Sequence, residues 1–410
     1  MPFDEVIKEL DTTLLHYQDL VKQHKQASSL AWCMNNQDSY RSSYYNLNTY
    51  GSTHVYRTLN YLFGGYISFY KDRFISQITS TLRQRYYLPL KNLSFNIPDD
   101  SLSLFINHLD NLLFLHWKAI CNWSFAELFS FLNQACIIFN HHLELPSDLY
   151  HSEKKIQLQR CLAMIELIKE EAPNGLPLES LCFLAIKANW IDSYLDKAVI
   201  DTFLAHFPEE LNQILDQSMP LTDFMTHNPF INYTSLLYLA QGAPKRILYE
   251  LDNQGEALFD LLLIEHFLNK GHAITLATKQ KPILNDVTYD DLKNILRLPV
   301  FKALEPYQQS KQLTFISHGS SDVIPLRYCM NKAYIDHYTQ SDMVIMKGQG
   351  NFESYPLRRM LPMVKKQLSY KKSHYHLFVL KSALTQRSFQ TIVKSCPLKT
   401  LICYSTAGFN

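Results

Sequence analysis

The chain has 410 residues, with 39 Lys and Arg against 38 Asp and Glu, which gives a formal net charge of +1. Hydrophobic residues make up 47% and charged residues 19%, which indicates a folded chain of two or three domains and excludes a disordered one. No stretch approaches the roughly 18 apolar residues of a membrane span, and the start MPFDEVIKEL lacks the features of a secretory signal, so we expect a cytoplasmic location.

The cysteine and glycine contents further restrict the compartment and the kinds of site that we expect. The eight cysteines include no closely spaced pair, which predicts buried thiols in a reducing compartment and argues against a structural zinc site. Glycine is scarce, with 11 residues where ordinary usage of about 7% would give about 29. Such a chain has few positions at which the backbone can adopt positive φ or approach a ligand closely.

The two halves of the chain carry opposite charge. Residues 1–225 hold 17 basic and 25 acidic side chains, whereas residues 226–410 hold 22 basic and 13 acidic ones. A basic half suits an anionic ligand such as phosphate. Three basic pairs near the C-terminus could form one helix face: Arg358–Arg359, Lys365–Lys366 and Lys371–Lys372. We favour a face that docks against the acidic N-terminal half over one that binds nucleic acid or a membrane.

The first half of the sequence has the periodicity of helices. Apolar residues recur every three or four positions from Phe3 to Val21 and again from Cys161 to Ile168, where the turn Pro173–Asn174–Gly175 follows. The aromatic-rich region from Tyr40 to Tyr87 is more typical of a helix-packing core than of a base-stacking surface. We therefore predict a helical N-terminal domain over residues 1–225.

Short apolar runs alternate with helical segments in the second half. This alternation predicts an α/β domain over residues 226–410, with a three-layer α/β/α core around a mainly parallel sheet. The predicted strands are Arg246–Leu251, Ala273–Thr278, Leu313–Ser317, Met343–Met346, Leu377–Leu380 and Leu401–Tyr404, and the predicted helices include Glu256–Asn269 and Tyr289–Leu296.

Polar clusters follow three of these strands. Asp252, Asn253 and Asp286 offer oxygen ligands of the kind that Mg²⁺ or Mn²⁺ prefers, and the carboxyl ends of parallel strands meet at one edge of the sheet. Lys347 could neutralise phosphate charge, while Gly348 would let a backbone N–H approach the anion. Together these clusters indicate metal-assisted chemistry on a phosphate.

Each cluster also has an ordinary structural explanation. Asp252 and Asn253 could cap the helix that follows them, and Asp286 could cap the next one. A single lysine at a strand end is usually a solvated surface charge. Three clusters at neighbouring strand ends favour a site over these alternatives.

Three motifs resemble the signatures of a known family. They are Asp252–Asn253–x–Gly255–Glu256, Pro282–Ile283–x–Asn285–Asp286–x–Thr288 and Lys347–Gly–Gln–Gly–Asn–Phe–Glu353. In this order they resemble the damage-control phosphatase family, also described as domain of unknown function eighty-nine or as acidic-residue methyltransferase-like. The segments around Asn189–Trp–Ile–Asp192 and Leu380–Lys381–Ser382 resemble two further motifs of that family.

The resemblance implies a divalent-metal-dependent phosphatase that hydrolyses small phosphorylated metabolites, including sugar phosphates, with Mn²⁺, Co²⁺, Ni²⁺ or Mg²⁺. It also implies an α/β/α catalytic core joined to a helical N-terminal domain. Transferred to this sequence, the implied metal ligands are Asp252, Asn253 and Asp286. The implied catalytic residues are Asp252, Asp192 and Lys347, and the implied phosphate-binding or orienting residues are Asn189, Lys347, Gly348, Glu256 and Lys381.

Two departures from the family pattern leave the substrate open. Cys33 stands alone where related sequences often have paired N-terminal cysteines, and Ser382 replaces the usual cysteine after Lys381. Two other functions also stay open. One is a carboxyl methyltransferase-like activity, for which no methyl-donor site is apparent, and the other is a non-catalytic protein that keeps the fold and binds partners. Neither a P-loop nor a GxGxxG segment occurs, so no nucleotide-binding loop is predicted.

Overall fold

A computed structural model describes the following parts of the chain: residues 3–33, 75–76, 78–80, 82–87, 95–120, 123, 125–192, 197–215, 242–326, 329–354, 373–381, 386, 398 and 400–405. The chain divides into two compact units. The first comprises residues 1–149, 322–328 and 353–356, and the second comprises residues 150–321, 329–352 and 357–410. The domain boundary predicted at residue 225 lies outside the described residues, as do the three basic pairs near the C-terminus. The helices within 151–215 belong to the second unit.

The first unit is helical in its described residues. Its elements are α1 (Phe3–Cys33), a π-helical turn (Leu82–Tyr87), α2 (Asp99–Leu115), α3 (Trp117–Ile120) and α4 (Phe125–His142). The rings of Phe105 and Phe139 stack at a centroid distance of 4.3 Å, and Tyr87 packs edge-on against both. Tyr87 is thus a core residue, as predicted for the aromatic-rich region, most of which lies outside the described residues.

The second unit contains the predicted sheet. Its strands are β1 (Arg246–Glu250), β2 (Ala273–Thr278), β3 (Leu313–Ser317), β4 (Met343–Lys347), β5 (Ser373–Val379) and β6 (Leu401–Ser405). The strand order is β3-β2-β1-β4-β5-β6, with β6 antiparallel to β5 and every other pair parallel. The mainly parallel sheet is therefore confirmed.

Helices lie on both faces of this sheet. The helices that follow residue 150 are α5 (His151–Glu171), α6 (Leu178–Lys187), α7 (Lys197–Leu215), α8 (Gln254–Asn269), α9 (Tyr289–Ile295), α10 (Glu305–Gln309), α11 (Lys332–Gln340) and α12 (Gln349–Ser354), with short 3₁₀ turns at Ala188–Trp190 and Pro299–Leu304. Consecutive strand residues point to opposite faces. Tyr249 contacts Asp260 of α8, whereas Glu250 contacts Tyr334 of α11. This alternation confirms the three-layer α/β/α core.

Helix α8 lies at the centre of the second unit. It packs against α5 and α6 and against the sheet, so nearly all of its residues are buried, which is typical of a helix that is apolar on every side. Glu256 and Asp260 are charged residues in its first half, and both are fully buried. No helix in the described part of the chain is long and apolar enough to cross a membrane.

Candidate active site

The strand order produces a crevice at the carboxyl ends of β1 and β4. From β1 the chain builds β2 and β3 on one side, and it then returns to add β4 on the other side of β1. Ligands of open α/β sheets bind at such a switch point, where the loops of neighbouring strands diverge. Asp252 and Asn253 follow β1, and Gly348 follows β4. The crevice therefore lies where the sequence predicts a site.

Backbone hydrogen bonds join the loops that follow β1 and β2. The N–H of Val287 donates to the Asp252 carbonyl at 2.8 Å, and the N–H of Gln254 donates to the Asn285 carbonyl at 2.9 Å. Asn253 and Asp286 form an antiparallel bridge between these two bonds. The structure thus brings the three predicted metal ligands together from two separate loops.

Helix capping does not account for these side chains. Asn253 occupies the position before α8, but its side chain makes no capping hydrogen bond. The cap of α9 is Thr288, whose hydroxyl accepts from the Asp291 N–H at 3.2 Å while the Asp291 carboxylate accepts in return from the Thr288 N–H at 3.1 Å. Asp286 is two residues upstream of this reciprocal cap. The alternative that these polar residues serve only as caps is therefore disfavoured.

Asp252 is buried against Gly348. One of its carboxylate oxygens accepts hydrogen bonds from the side-chain amides of Asn189 and Asn253, both at 3.1 Å. Gly348 has φ +79°, and a Cβ at that position would lie 1.8 Å from the same carboxylate oxygen. The Gly348 N–H donates to the Leu377 carbonyl at 3.0 Å, so the sheet uses the donor that the sequence assigns to phosphate. Gly348 instead makes room for the Asp252 carboxylate.

Glu256 orients two asparagine side chains at once. Its Oε2 accepts from the amide of Asn189 at 2.8 Å and from the amide of Asn253 at 3.0 Å. The Oδ1 of Asn189 accepts from the Val379 N–H at 2.9 Å, which fixes that amide at both ends. Because Nδ2 of Asn253 donates to carboxylates, Oδ1 is the atom of this side chain that can bind a cation. Glu256 thereby presents the oxygen of Asn253.

Lys347 is fully buried beneath the site. Its ammonium contacts Glu256, lies 2.9 Å from the Asp260 carboxylate and donates to the Ala185 carbonyl at 2.5 Å. Burial works to lower the pKa of Lys347, but Asp260 and Glu256 outweigh it and raise the pKa. Three partners match the three N–H donors of an ammonium group. These contacts give Lys347 a supporting role, and direct binding of phosphate by this residue stays a prediction.

Asp192 and Lys381 form a second charged pair at the site. The Lys381 ammonium lies 2.6 Å from the Asp192 carboxylate, and the backbone N–H of Lys381 donates to the Gln349 side chain at 2.9 Å. The Asp192 side chain is 16% exposed, and that of Lys381 is 2% exposed. Burial and three neighbouring carboxylates raise the pKa of Asp252, and Lys381 opposes this rise. The charge of Lys381, a predicted phosphate-binding residue, thus acts on a candidate metal ligand.

A lysine that the sequence analysis did not assign contacts Asp286. The ammonium of Lys279, which directly follows β2, lies 3.4 Å from the Asp286 carboxylate. Burial raises the pKa of Asp286 to about 6, while Lys279 acts to lower it and the nearby Asp192 adds to the rise. Lys279 could have been predicted as a site residue from its position, because it is the first residue after β2.

Burial and mutual repulsion of carboxylates dominate the electrostatics of the site. Burial raises the pKa of Asp252 well above its ordinary value, and the charges of Asp286, Glu256 and Asp192 raise it further, with Lys381 opposing them. Several buried carboxylates that repel one another create a potential that favours a cation. A divalent cation would relieve this repulsion.

The donor set fits a hard divalent cation. Asp252 and Asp286 supply carboxylate oxygens, and Asn253 supplies an amide oxygen, which are the ligand types of Mg²⁺ and Mn²⁺. Across the described ranges, no group of three or more His, Cys, Asp and Glu side chains could hold a metal by itself. The candidate set is of a different kind, since it combines two carboxylates with one amide.

We expect the metal-free protein to lose thermal stability as the pH rises from about 4 to about 7. Burial raises the pKa of Asp260 to about 7, with Lys347 opposing this rise and Glu256 adding to it. In the unfolded chain the same carboxyl has a pKa near its ordinary value of about 4. Between these two values the folded state binds more protons than the unfolded state, so stability falls as the pH rises.

Calorimetry in the presence of a chelator measures this effect. The melting temperature should fall by roughly 3–10 °C over this pH range, and the fall should be smaller in Asp260→Asn. A wild-type melting temperature that stays constant, or that rises with pH, would show that the Asp260 proton is not held in the folded state.

Comparisons with known proteins support the motif-based resemblance. A family model described as the damage-control phosphatase ARMT1-like domain matches residues 4–385, which is nearly the whole chain. The chain belongs to this family. The match also covers the first 150 residues, which the sequence motifs alone did not place.

Two curated relatives are similar over shorter stretches. The damage-control phosphatase PH1575 of Pyrococcus horikoshii is 31% identical over 158 residues, which cover 38% of this chain and 48% of the relative. The uncharacterized protein MJ0202 of Methanocaldococcus jannaschii is 32% identical over 112 residues, which cover 27% of this chain and 32% of the relative. The chain thus matches about half the length of the first relative and a third of the second.

A solved structure supports the fold. The crystal structure of a DUF89 family protein from Pyrococcus horikoshii superimposes with a TM-score of 0.53 at 21% identity, covering 75% of this chain and 90% of that chain. At this level of identity the likeness concerns the fold alone. It agrees with the α/β core described above.

Proposed function

We propose that this protein is a divalent-metal-dependent phosphatase that hydrolyses small phosphorylated metabolites such as sugar phosphates. Membership in the damage-control phosphatase family supports the reaction class. The observation that carries the proposal is that two bridged loops bring Asp252, Asn253 and Asp286 together, buried and unused as helix caps. Buried carboxylates that meet from two loops and do not cap a helix are typical of a site that binds a cation.

The metal would be held by Asp252, Asn253 and Asp286, with Mn²⁺, Co²⁺, Ni²⁺ or Mg²⁺ as the candidate ions. When bound, such an ion would supply Lewis-acid polarisation of the phosphoryl group and a water of lowered pKa. Three protein ligands leave room in the coordination shell for water and for a substrate oxygen.

Other residues of the chain bind the phosphate, orient the water or the substrate, and support the metal ligands. Lys381 neutralises charge on the phosphate, and Asp192, its ion-pair partner, orients the attacking water or the substrate. Asn189 donates to Asp252 and so holds that carboxylate in place. Glu256 fixes the two asparagine amides, and Lys347 in turn holds Glu256.

A reducing compartment such as the cytoplasm fits this function. Cys161, Cys182 and Cys403 are buried thiols in the second unit, and burial raises the pKa of Cys161 and Cys403 to about 12. Thiols of this kind are inert packing residues, and they need no oxidising environment.

A substrate panel tests the proposed function. We expect the full chain to release phosphate from p-nitrophenyl phosphate and from sugar phosphates in the presence of one of the four metals, and to lose this activity with a chelator. Asp252→Ala should abolish it. Absence of turnover with every metal would contradict the proposal, and transfer of a methyl group from a methyl donor would favour the methyltransferase-like alternative.

Lys381→Met should weaken substrate binding without weakening metal binding. Loss of one charge-assisted hydrogen bond to phosphate should raise KM by about 10- to 100-fold, while the Mn²⁺ affinity measured by calorimetry should not fall, because the substitution removes a positive charge near the candidate ligands. Lys169→Met is the matched control, because Lys169 pairs with Glu265 at 2.6 Å in the same unit. An unchanged KM in Lys381→Met would remove this lysine from the phosphate site.

A further inference from the structure

Asp260 is a buried acid to which neither the motifs nor the proposed mechanism assigns a task. It lies one helical turn after Glu256 on α8 and is fully buried. Its Oδ1 accepts from the Tyr249 hydroxyl at 2.8 Å and lies 2.9 Å from the Lys347 ammonium. Burying a carboxylate is costly, so its partners and position call for a physical explanation.

A continuous series of contacts leads from Asp260 to the candidate metal ligands. Lys347 contacts both Asp260 and Glu256. The second oxygen of Glu256 then accepts from the Asn253 amide at 3.0 Å and from the Asn189 amide at 2.8 Å. Asp260 is therefore linked to Asn253 through two intervening side chains.

The position of the Lys347 ammonium depends on a balance between its interactions with three partners. Glu256 and Asp260 attract it from the same face of α8, and the Ala185 carbonyl at the end of α6 accepts its third hydrogen bond. Without the Asp260 charge, the buried ammonium would have Glu256 as its one anionic contact among the described side chains. Glu256 would then be drawn toward Lys347 and away from the two amides.

We propose that Asp260 is a positioning residue that, through Lys347 and Glu256, keeps the Asn253 amide oxygen directed toward the candidate metal position. The inference rests on the proposed function, because it assumes that a divalent cation binds there. Removal of an acid that supports a metal ligand through hydrogen bonds typically changes the metal affinity by about 10- to 100-fold.

A role limited to stability is the competing explanation, and a matched pair of variants separates the two. Asp260→Asn and Glu265→Gln each neutralise a lysine-paired acid on α8. Glu265 pairs with Lys169, away from Glu256 and the asparagines. Both variants lose an ion pair, but only Asp260→Asn breaks the series of contacts that reaches Asn253.

The test is Mn²⁺ binding to the full chain by isothermal titration calorimetry at about pH 8, above the Asp260 pKa of about 7, with melting temperatures recorded in a chelator. We expect Asp260→Asn to weaken Mn²⁺ binding by at least about tenfold, and Glu265→Gln to bind as wild type does. At saturating Mn²⁺ the KM for p-nitrophenyl phosphate should be unchanged in Asp260→Asn. Since Asp260 acts through Lys347, adding Asp260→Asn to Lys347→Met should weaken binding by less than about twofold beyond Lys347→Met alone.

A second variant covers the case in which Asp260→Asn does not fold. Tyr249→Phe removes one hydrogen bond to Asp260 and keeps its charge, and it should weaken Mn²⁺ binding by about two- to fivefold. If the variant that folds binds Mn²⁺ as tightly as wild type does, the inference is overturned. It is also overturned if the effects of Asp260→Asn and Lys347→Met on Mn²⁺ binding are fully additive in the double variant. If wild type itself neither binds Mn²⁺ nor hydrolyses phosphate, the proposed function falls and the inference falls with it.

Discussion

Asp252→Asn should lower the Mn²⁺-dependent hydrolysis of p-nitrophenyl phosphate by at least about a thousandfold, which corresponds to about 4 kcal/mol of transition-state stabilisation. Asp252 is the predicted metal ligand with the largest number of site contacts, since it accepts from Asn189 and Asn253 and lies against Gly348. The substitution keeps the shape of the side chain and removes its charge. Most of the loss should therefore come from weaker cation binding and not from misfolding.

Asp342→Asn provides the matched control for this prediction. Asp342 lies just before β4 in the same unit, where its half-exposed carboxylate accepts from the Arg246 N–H at 2.7 Å. That backbone hydrogen bond is the main reason why the pKa of Asp342 is lowered. Its partner Arg246 begins β1, so the pair lies at the edge of the sheet opposite to Asp252. The activity of Asp342→Asn should stay within about twofold of wild type. Equal activity of Asp252→Asn and Asp342→Asn would remove Asp252 from the reaction.

Gly348→Ala should lower activity by at least about a hundredfold, because even a displacement of about 1 Å at a reacting group has an effect of this size. Two causes act together. The residue has φ +79°, which costs an alanine about 1–2 kcal/mol, and the new Cβ would overlap the Asp252 carboxylate. The carboxylate has to move away from its position, so Mn²⁺ affinity should fall along with turnover.

Gly175→Ala is the control for Gly348→Ala, because it carries the energetic cost of positive φ without displacing Asp252. Gly175 has φ +83°, and a Cβ there would meet nothing within 4 Å. We expect it to lower the melting temperature by a few degrees and to leave activity near that of wild type. Calorimetry and turnover measured on both variants decide the matter. Retained activity in Gly348→Ala would show that Asp252 does not need the space beside this glycine.

The sheet and the meeting of the metal ligands could be predicted because both follow from local patterns. Each strand is built largely of apolar residues, and a polar residue lies at or just after the carboxyl end of β1, β2 and β4. In a parallel sheet these loops share one edge, so Asp252 and Asp286 were expected to approach each other. Backbone hydrogen bonds between the two loops hold these residues close together.

The direction of Lys347 required tertiary information. In β4, residues 343, 345 and 347 share one face of the sheet, and Met343 and Ile345 belong to the core that α8 helps to form. Lys347 points to the same side, where Glu256 and Asp260 are buried. A sequence pattern shows that a lysine ends a strand, but it does not show that two acids from another element occupy the space next to it.

The role of Gly348 differs from its prediction for a similar reason. The sequence suggests a backbone N–H that approaches an anion, whereas the N–H is used by β5 and the missing Cβ leaves space for Asp252. Scarcity of glycine correctly indicated a close approach at this position. Which group approaches depends on the packing of β1 against β4, which composition does not reveal.

Mn²⁺ titration of chelator-treated protein is the most direct test of the account. Bound Mn²⁺ and phosphate released from p-nitrophenyl phosphate are measured in the same samples, for wild type and for Asp252→Asn. We predict that wild-type turnover rises in proportion to the occupancy of one site and that both signals are lost in Asp252→Asn. Full turnover in chelator-treated wild type, or wild-type Mn²⁺ binding by Asp252→Asn, would contradict a metal-dependent phosphatase site at the carboxyl ends of β1 and β2.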